Sequence, residues 1–334
     1  MKFKELVEYV RQKAELASVL EVSGWPKPGN VHRTRNYGDS KYEHFLAGAI
    51  ALGPSIKAAA LRGIMAASGK IDLSDIGLGR LIKRAVTDIL SSHNGGNTHL
   101  GVCLLFIPLS ASAAKTYVEE KNFSLSLLRR NFDAIMRAAT PVDAVKVYEA
   151  IAIAGTSRDL GRVSCGRAPD IYDPSAAKKI MKGGITLFDV MLESSAYDMI
   201  ARELVTGMEI TFNIGFKELV ETFNCTKDIN VAIVHTFLKI LSEYPDTFIA
   251  RKIGLKRESE VRRAVELGVR EIKWLSEEAR RILDLGGLTT ERGKAALWSL
   301  DDKLHEFGED YNPGTTADIT AASIMVALLT GLKF

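Results

Sequence analysis

The 334-residue sequence is poor in cysteine, in excess charge and in long apolar runs. Cys103, Cys165 and Cys225 stand far apart, without the paired spacings that hold zinc or run thiol–disulfide exchange, and a reducing, cytoplasmic setting is expected. Against 44 basic side chains stand 41 acidic ones. This near balance gives no global field for nucleic acid or an anionic membrane, so an anion site has to be local. The apolar runs 102–114 and 321–329 fall short of the roughly 18 to 20 residues a membrane-spanning helix needs. The opening Met1-Lys2-Phe3-Lys4-Glu5 leads into an amphipathic pattern containing acids and does not read as a signal peptide. A soluble protein with neither nucleic-acid nor membrane partners is expected. Also absent are the G-x-x-x-x-G-K-[ST] phosphate loop, G-x-G-x-x-G after a strand, H-E-x-x-H and G-x-S-x-G, which removes the common nucleotide, zinc-protease and hydrolase signatures.

Apolar residues at helical spacing run through nearly the whole chain. Leu6, Val7, Val10 and Ala14 form one set, Leu81, Ile82, Ala85, Val86 and Ile89 another, and Val231, Val234, Phe237, Leu238 and Leu241 a third. Sustained alternation of period two is missing. Helix starts are signalled at Ser74, Pro141, Asp173-Pro174 and Ser276. The pattern predicts a single all-α domain over residues 1–334, built from about a dozen helices. Loop-like chain gathers at 23–40, 92–97, 155–174 and 308–315, and loops as long as the first and third are usually functional. The stretch 256–281 alternates in charge, with Glu258/Arg262 and Glu266/Arg270 at i,i+4 spacing, and reads as a solvated helix face.

Four polar turns carry the candidate chemistry. Asn94-Gly95-Gly96-Asn97-Thr98-His99-Leu100-Gly101 runs into a buried helix, whose first N–H groups lack intrahelical partners and attract anions. Alternatively, Thr98 caps that helix and the glycines merely turn the chain. Pro26-Lys27-Pro28-Gly29-Asn30-Val31-His32-Arg33 is a rigid basic loop able to clamp phosphate, or else an exposed connector. In Tyr244-Pro245-Asp246-Thr247-Phe248-Ile249-Ala250-Arg251-Lys252, Asp246 and Thr247 suit a divalent ion or sugar hydroxyl, with Arg251 and Lys252 a turn later; the bland alternative makes Asp246 a helix cap. Tyr311-Asn312-Pro313-Gly314-Thr315-Thr316-Ala317-Asp318 places Thr315 and Asp318 at capping-box spacing. Repetition of such turns would bring several helix N-termini and two carboxylates to one polyanion.

Together these segments resemble the four signature segments of the triphosphoribosyl-dephospho-CoA synthase family, in family order and across nearly the whole chain. The resemblance implies an all-α enzyme that breaks the adenine–ribose bond of ATP and joins the triphosphoribosyl group to the ribose 2′-hydroxyl of dephospho-CoA. It places Lys27, Arg33 and Arg251 on phosphate, and Gly95, Asn97, Thr98 and His99 on phosphate or ribose. Thr247, Asn312, Gly314 and Thr315 join the substrate site, and Asp246 and Asp318 divide Mg²⁺ binding and general-base work. Small molecules are the expected partners, ATP with dephospho-CoA or another nucleotide acceptor, and a homo-oligomer is compatible with the sequence. Three departures stand out: His32 replaces an acidic residue, Leu100 replaces a lysine, and the mid-chain Arg-Gly-Glu-Ala segment has its nearest counterparts at Gly155-Thr156-Ser157-Arg158-Asp159 or Gly166-Arg167-Ala168-Pro169-Asp170. Such departures leave room for a nucleotide-sugar transferase with another acceptor, a glycohydrolase, or a non-catalytic helical nucleotide-binding protein.

Overall fold

Helices form where the apolar spacing places them, and at several of their starts a side chain satisfies the first amides. The computed structural model describes residues 1–38, 40–155, 160–163 and 166–334. In chain order the first seven helices are α1 (Phe3–Ser23), α2 (Tyr42–Ala51), α3 (Gly53–Ala67), α4 (Leu78–Ser92), α5 (Leu100–Glu120), α6 (Leu125–Arg137) and α7 (Pro141–Ile153). Five shorter or mixed helices follow: α8 (Ala176–Gly183), α9 (Leu187–Ser194), α10 (Met199–Thr206), α11 (Phe216–Thr226) and α12 (Ile229–Glu243). The chain closes with α13 (Thr247–Gly254), α14 (Val261–Glu271), α15 (Lys273–Asp284), α16 (Glu291–Phe307) and α17 (Gly314–Leu329). No strand occurs among the described residues, so the chain is all-α, divided into more and shorter helices than the sequence predicts.

Two helices are buried nearly all round. From Val102 to Ala114 every residue of α5 is buried, as are Ile319 to Leu329 of α17. Helices α1 and α3 pack against α5, α1 also lies along α17, and α10 touches both α5 and α17. By length and composition Leu100–Glu120 and the joined stretch Tyr42–Ala67 could cross a membrane, but most of the former is enclosed by protein. A second apolar cluster centres on Phe237, Leu241, Ile249, Leu275, Leu297 and Leu304 from α12 to α16. Both clusters draw on α12 and α17, which join the two halves of the core.

Of the signalled starts, Pro141 does open a helix, while Asp173-Pro174 lies just ahead of α8, which begins at Ala176. Thr140 and Asp143 bond reciprocally around Pro141 at the head of α7, and Thr186 with Asp189 does the same for α9. Two expected starts lie elsewhere. Ser276 falls inside α15, which begins at Lys273, and Ser74 sits in a short 3₁₀ turn ahead of α4. The capping box expected at Thr315 and Asp318 does not form, because α17 begins at Gly314 behind Pro313. That shift places Asp318 inside the second helical turn. The charged stretch carries ion pairs, among them Arg257–Glu271 and Lys273–Glu277, in place of the expected Glu258/Arg262 and Glu266/Arg270, and Glu258 instead accepts from Glu260 N.

Candidate active site

The turn before α17 is where the other three polar turns meet. Asn30 Nδ2 donates to Asn312 Oδ1 at 2.9 Å. Thr316 donates to Asp246 Oδ2 through both its backbone N and its Oγ1, each at 2.7 Å. Gly101 lies so close to Asp318 that a Cβ there would stand 2.0 Å from Oδ2. The four segments, scattered along the chain, therefore share one locus.

Around it opens a cavity of about 300 Å³, at the small end of ordinary ligand sites. One wall is polar and carries Asn30, Asn97, Thr98, His99, Thr315 and Asp318. Glu21, Asp198, Arg251 and Asn312 also reach it. The first turns of α5, α10 and α17 all line the cavity, so their N-terminal amides and positive dipole ends face its contents. The apolar lining comes from α7, α9, α10 and Leu160, Val163, Pro169 and Ile171.

The glycine turn is held by local constraints. Gly96 adopts φ 68°, and a Cβ on Gly95 would enter the His44 ring. Asn97 Oδ1 accepts from Leu100 N at 3.0 Å and starts α5, so Asn97 serves where Thr98 was the alternative cap. The Thr98 hydroxyl instead pairs with His99 Nδ1 at 2.7 Å and His93 Nε2 at 3.2 Å. His99 is almost fully buried, and burial pushes its pKa down to about 3, so the imidazole is neutral at neutral pH.

Three carboxyl groups of the described residues line the cavity. Glu21, Asp198 and Asp318 face Arg251 alone among the described charged residues lining it. Lys27 Nζ pairs with the Glu21 carboxylate and donates to Asn30 Oδ1 at 3.0 Å, but is itself fully buried behind them. Arg251 meets Asp198 at 3.2 Å and lies over the Phe248 ring, while its buried Nε has no partner. Burial raises the pKa of Asp318 well above the usual carboxylate range, the nearby Glu21, Asp246 and Asp198 add to this, and the Val102 amide opposes it.

The predicted site residues thus separate into two groups. Asn97, Thr98, His99, Arg251, Asn312, Gly314, Thr315 and Asp318 line the cavity. Asp246 does not: it is fully buried, caps α13 by accepting from Phe248 and Ile249, and spends its other oxygen on Thr316. The metal and base roles expected of it have no free oxygen to use. Thr247 is likewise structural, accepting from Met199 N at 3.1 Å, and Gly95 packs on His44. Arg33 is exposed and directed at Ser23 O and Asn230 Oδ1, and Lys27 is committed to Glu21, so neither presents a free cation to phosphate. His32 is buried against Asp301 at 3.3 Å, which also receives Gly29 N at 3.0 Å, so its place in the basic loop is architectural. Of the mid-chain counterparts, residues 156–159 lie outside the described residues; so does Cys165.

Glu21, Asp198, Tyr148 and Tyr197 line the cavity without having been singled out from sequence. Glu21 had a legible signal: it continues the buried stripe Leu6, Val10, Ala14 and Ala17 of α1, an acid at an apolar position. Asp198 caps α10 through Ala201 N at 3.0 Å, and nothing in its spacing marks it otherwise.

No curated protein shows significant similarity to the sequence. A crystal structure of a candidate triphosphoribosyl-dephospho-CoA synthase from Archaeoglobus fulgidus shares the fold, with a TM-score of 0.58 at 24% identity, over 86% of this chain and 100% of that one. Residues 7–333 match the family described as CitG: ATP:dephospho-CoA triphosphoribosyl transferase. The chain, matched over nearly its full length, belongs to that family of transferases.

Proposed function

We propose that the polar wall binds the triphosphoribosyl group of ATP and that Asp318 is the general base. The transfer itself, from ATP to the 2′-hydroxyl of dephospho-CoA with release of adenine, is the family's reaction. One observation carries the assignment. Of the cavity carboxylates among the described residues, Glu21 is held by Lys27 and Asp198 by Arg251 and its own helix, whereas Asp318 has no ion-pair partner.

In this reading the acceptor oxygen attacks C1′ of the donor ribose. The C1′–O bond forms as the C1′–N9 bond breaks, its electron pair leaves on adenine, the hydroxyl proton passes to Asp318, and adenine takes a proton from solvent. A carboxylate whose pKa is raised is a stronger base once ionised. The same carboxylates stabilise positive charge developing on the sugar, at the head of helices whose amides and dipoles favour the phosphates. Arg251, with an unpartnered Nε, supplies a donor to a phosphate or ribose oxygen.

Mg²⁺ belongs to this proposal. With Lys27 committed to Glu21 and Arg251 to Asp198, the described lining offers a triphosphate no uncommitted cation, and oxygen donors are the chemistry that Mg²⁺ prefers. Among the described residues no three His, Cys, Asp or Glu side chains stand together, so the oxygens of the substrate's own phosphates would supply most of the ion's ligands. When bound it would neutralise phosphate charge. The protein incubated with ATP, Mg²⁺ and dephospho-CoA should release adenine only when dephospho-CoA is present. Release without an acceptor would make it a hydrolase, and no release would remove the proposal.

A further inference from the structure

The polar residues leave half of the cavity unexplained. Its other wall is made by Tyr148 and Ile151 of α7, Pro169 and Ile171 of the long mid-chain loop, Met191 of α9, and Tyr197 beside α10. None of these side chains carries a charge, and both tyrosine hydroxyls have protein partners: Tyr148 donates to Pro169 O at 2.8 Å and Tyr197 to Ser194 Oγ at 3.3 Å. Phosphate or an open sugar would find little to bond there.

The wall is nonetheless firmly built. Glu193 accepts from Arg167 N at 2.8 Å and Ala168 N at 3.0 Å. Asp170 accepts from Val163 N and Tyr172 N at 2.9 and 2.7 Å. Arg162 N donates to Ser259 O, and Val261 N returns to Arg162 O, tying the segment to the start of α14. Tyr148, Ile151, Ile171 and Tyr197 remain only half-buried, although a packed core would cover such side chains. Half-buried Tyr148 and Tyr197, from α7 and the residue before the cap of α10, and Ile171, held by the bonds of Asp170, present aromatic and aliphatic surface to the cavity that suits a flat, uncharged ligand.

We infer that this wall is a purine-base subsite for adenine, the uncharged end of a ligand whose sugar and phosphates occupy the polar wall. The inference rests on the transferase reading, since both of its substrates carry adenine beside a ribose. The cavity's lining holds both kinds of surface such a molecule needs, apolar side chains from α7, α9 and residues 169 and 171 for the base, and Asn97, Thr98, Arg251, Thr315 and Asp318 for the sugar and phosphates.

The test is calorimetric binding to the full chain of ATP, dephospho-CoA and ribose 5-triphosphate, each alone with Mg²⁺. The variants are Ile171→Trp, which fills the wall from a half-buried loop position, and Tyr197→Ala, which strips it, each checked for an unchanged melting temperature. Both should weaken at least one adenine-bearing ligand about tenfold or more, a typical loss for a stacked base, and leave ribose 5-triphosphate within about twofold. Loss confined to ATP assigns the wall to the donor base, and loss confined to dephospho-CoA to the acceptor base. Equal loss for ribose 5-triphosphate, or no loss for any ligand in either correctly folded variant, would overturn the subsite. Because these are binding measurements, failure of wild-type adenine release would count against the transferase roles and leave the base subsite to be judged separately.

Discussion

Asp246 and Asp318 sit in two turns that look alike in sequence and have opposite fates. Each lies in a polar turn bearing proline that feeds a helix of the core. Asp246 stands one residue before α13, and its oxygens are taken by Phe248, Ile249 and Thr316. Asp318 stands inside α17, beyond the reach of that helix's own first amides, and lines the cavity in contact with Gly101 and the Val102 amide of α5. A capping carboxylate is consumed by the fold, whereas one placed a turn further along is left for a ligand. The comparison teaches that position relative to the helix start, more than residue type or nearby motif, decides which acid is chemically available.

The strongest way to break this comparison is to exchange the effects of removing each acid. Asp318→Ala should cut turnover about a thousandfold, within the usual range for loss of a general base, with the melting temperature little changed. Steady-state adenine release and a thermal melt check it; an active variant would put the base elsewhere. Asp246→Ala should instead cost about 3 kcal/mol of stability, because a helix cap is lost and four donors lose their buried acceptor. Urea titration would show this as a lowered midpoint.

Next in size is an effect of pH on His99. Burial holds its folded pKa at about 3, below the ~6.5 of an unfolded histidine, so the unfolded chain binds the additional proton between those values. Its stabilising contribution is fully present above about pH 6.5 and is lost as pH falls toward 3, amounting to about 2 kcal/mol between pH 6.5 and 5. His99→Gln should flatten the pH dependence of the urea midpoint by that amount. At Gly101, alanine would favour the helix by about 1 kcal/mol yet press a Cβ against Asp318. Gly101→Ala is therefore expected to reduce turnover about tenfold and to lower stability by about 1 kcal/mol, since overpacking at this contact costs roughly 1–3 kcal/mol, set against that helix gain, which kinetics and melts on one preparation check. The smallest change is expected at Arg33. Since its guanidinium is bonded at the surface to Ser23 O and Asn230, Arg33→Ala should leave the KM for both substrates within about twofold.

Local signals carried much of the fold. The apolar periods of α4 and α12 and the Thr140–Asp143 cap act within four residues, so they are legible wherever the rest of the chain lies. The capping alternative for Asp246 was legible for the same reason, and Glu21 could have been found as an acid in the buried stripe of α1. The start of α17 was misplaced because Pro313 and Gly314 open that helix without a side-chain cap, leaving Thr315 as a plausible but wrong boundary. Arg33 and Lys27 look like phosphate ligands in sequence because a cation's partner is invisible there: one is bonded at the surface, the other paired in the interior.

What the sequence determined by itself is an all-α chain with polar turns at helix starts, since propensity, periodicity and capping are short-range. Those turns also sufficed to suggest the transferase family. Only the tertiary structure decided that four turns meet at Asn312, Thr316 and Asp318, that Asp318 rather than Asp246 faces the cavity, and that an apolar wall completes it. Those outcomes depend on contacts between segments as much as 282 positions apart, as for Asn30 and Asn312, and they arise only when α1, α5, α10 and α17 pack together.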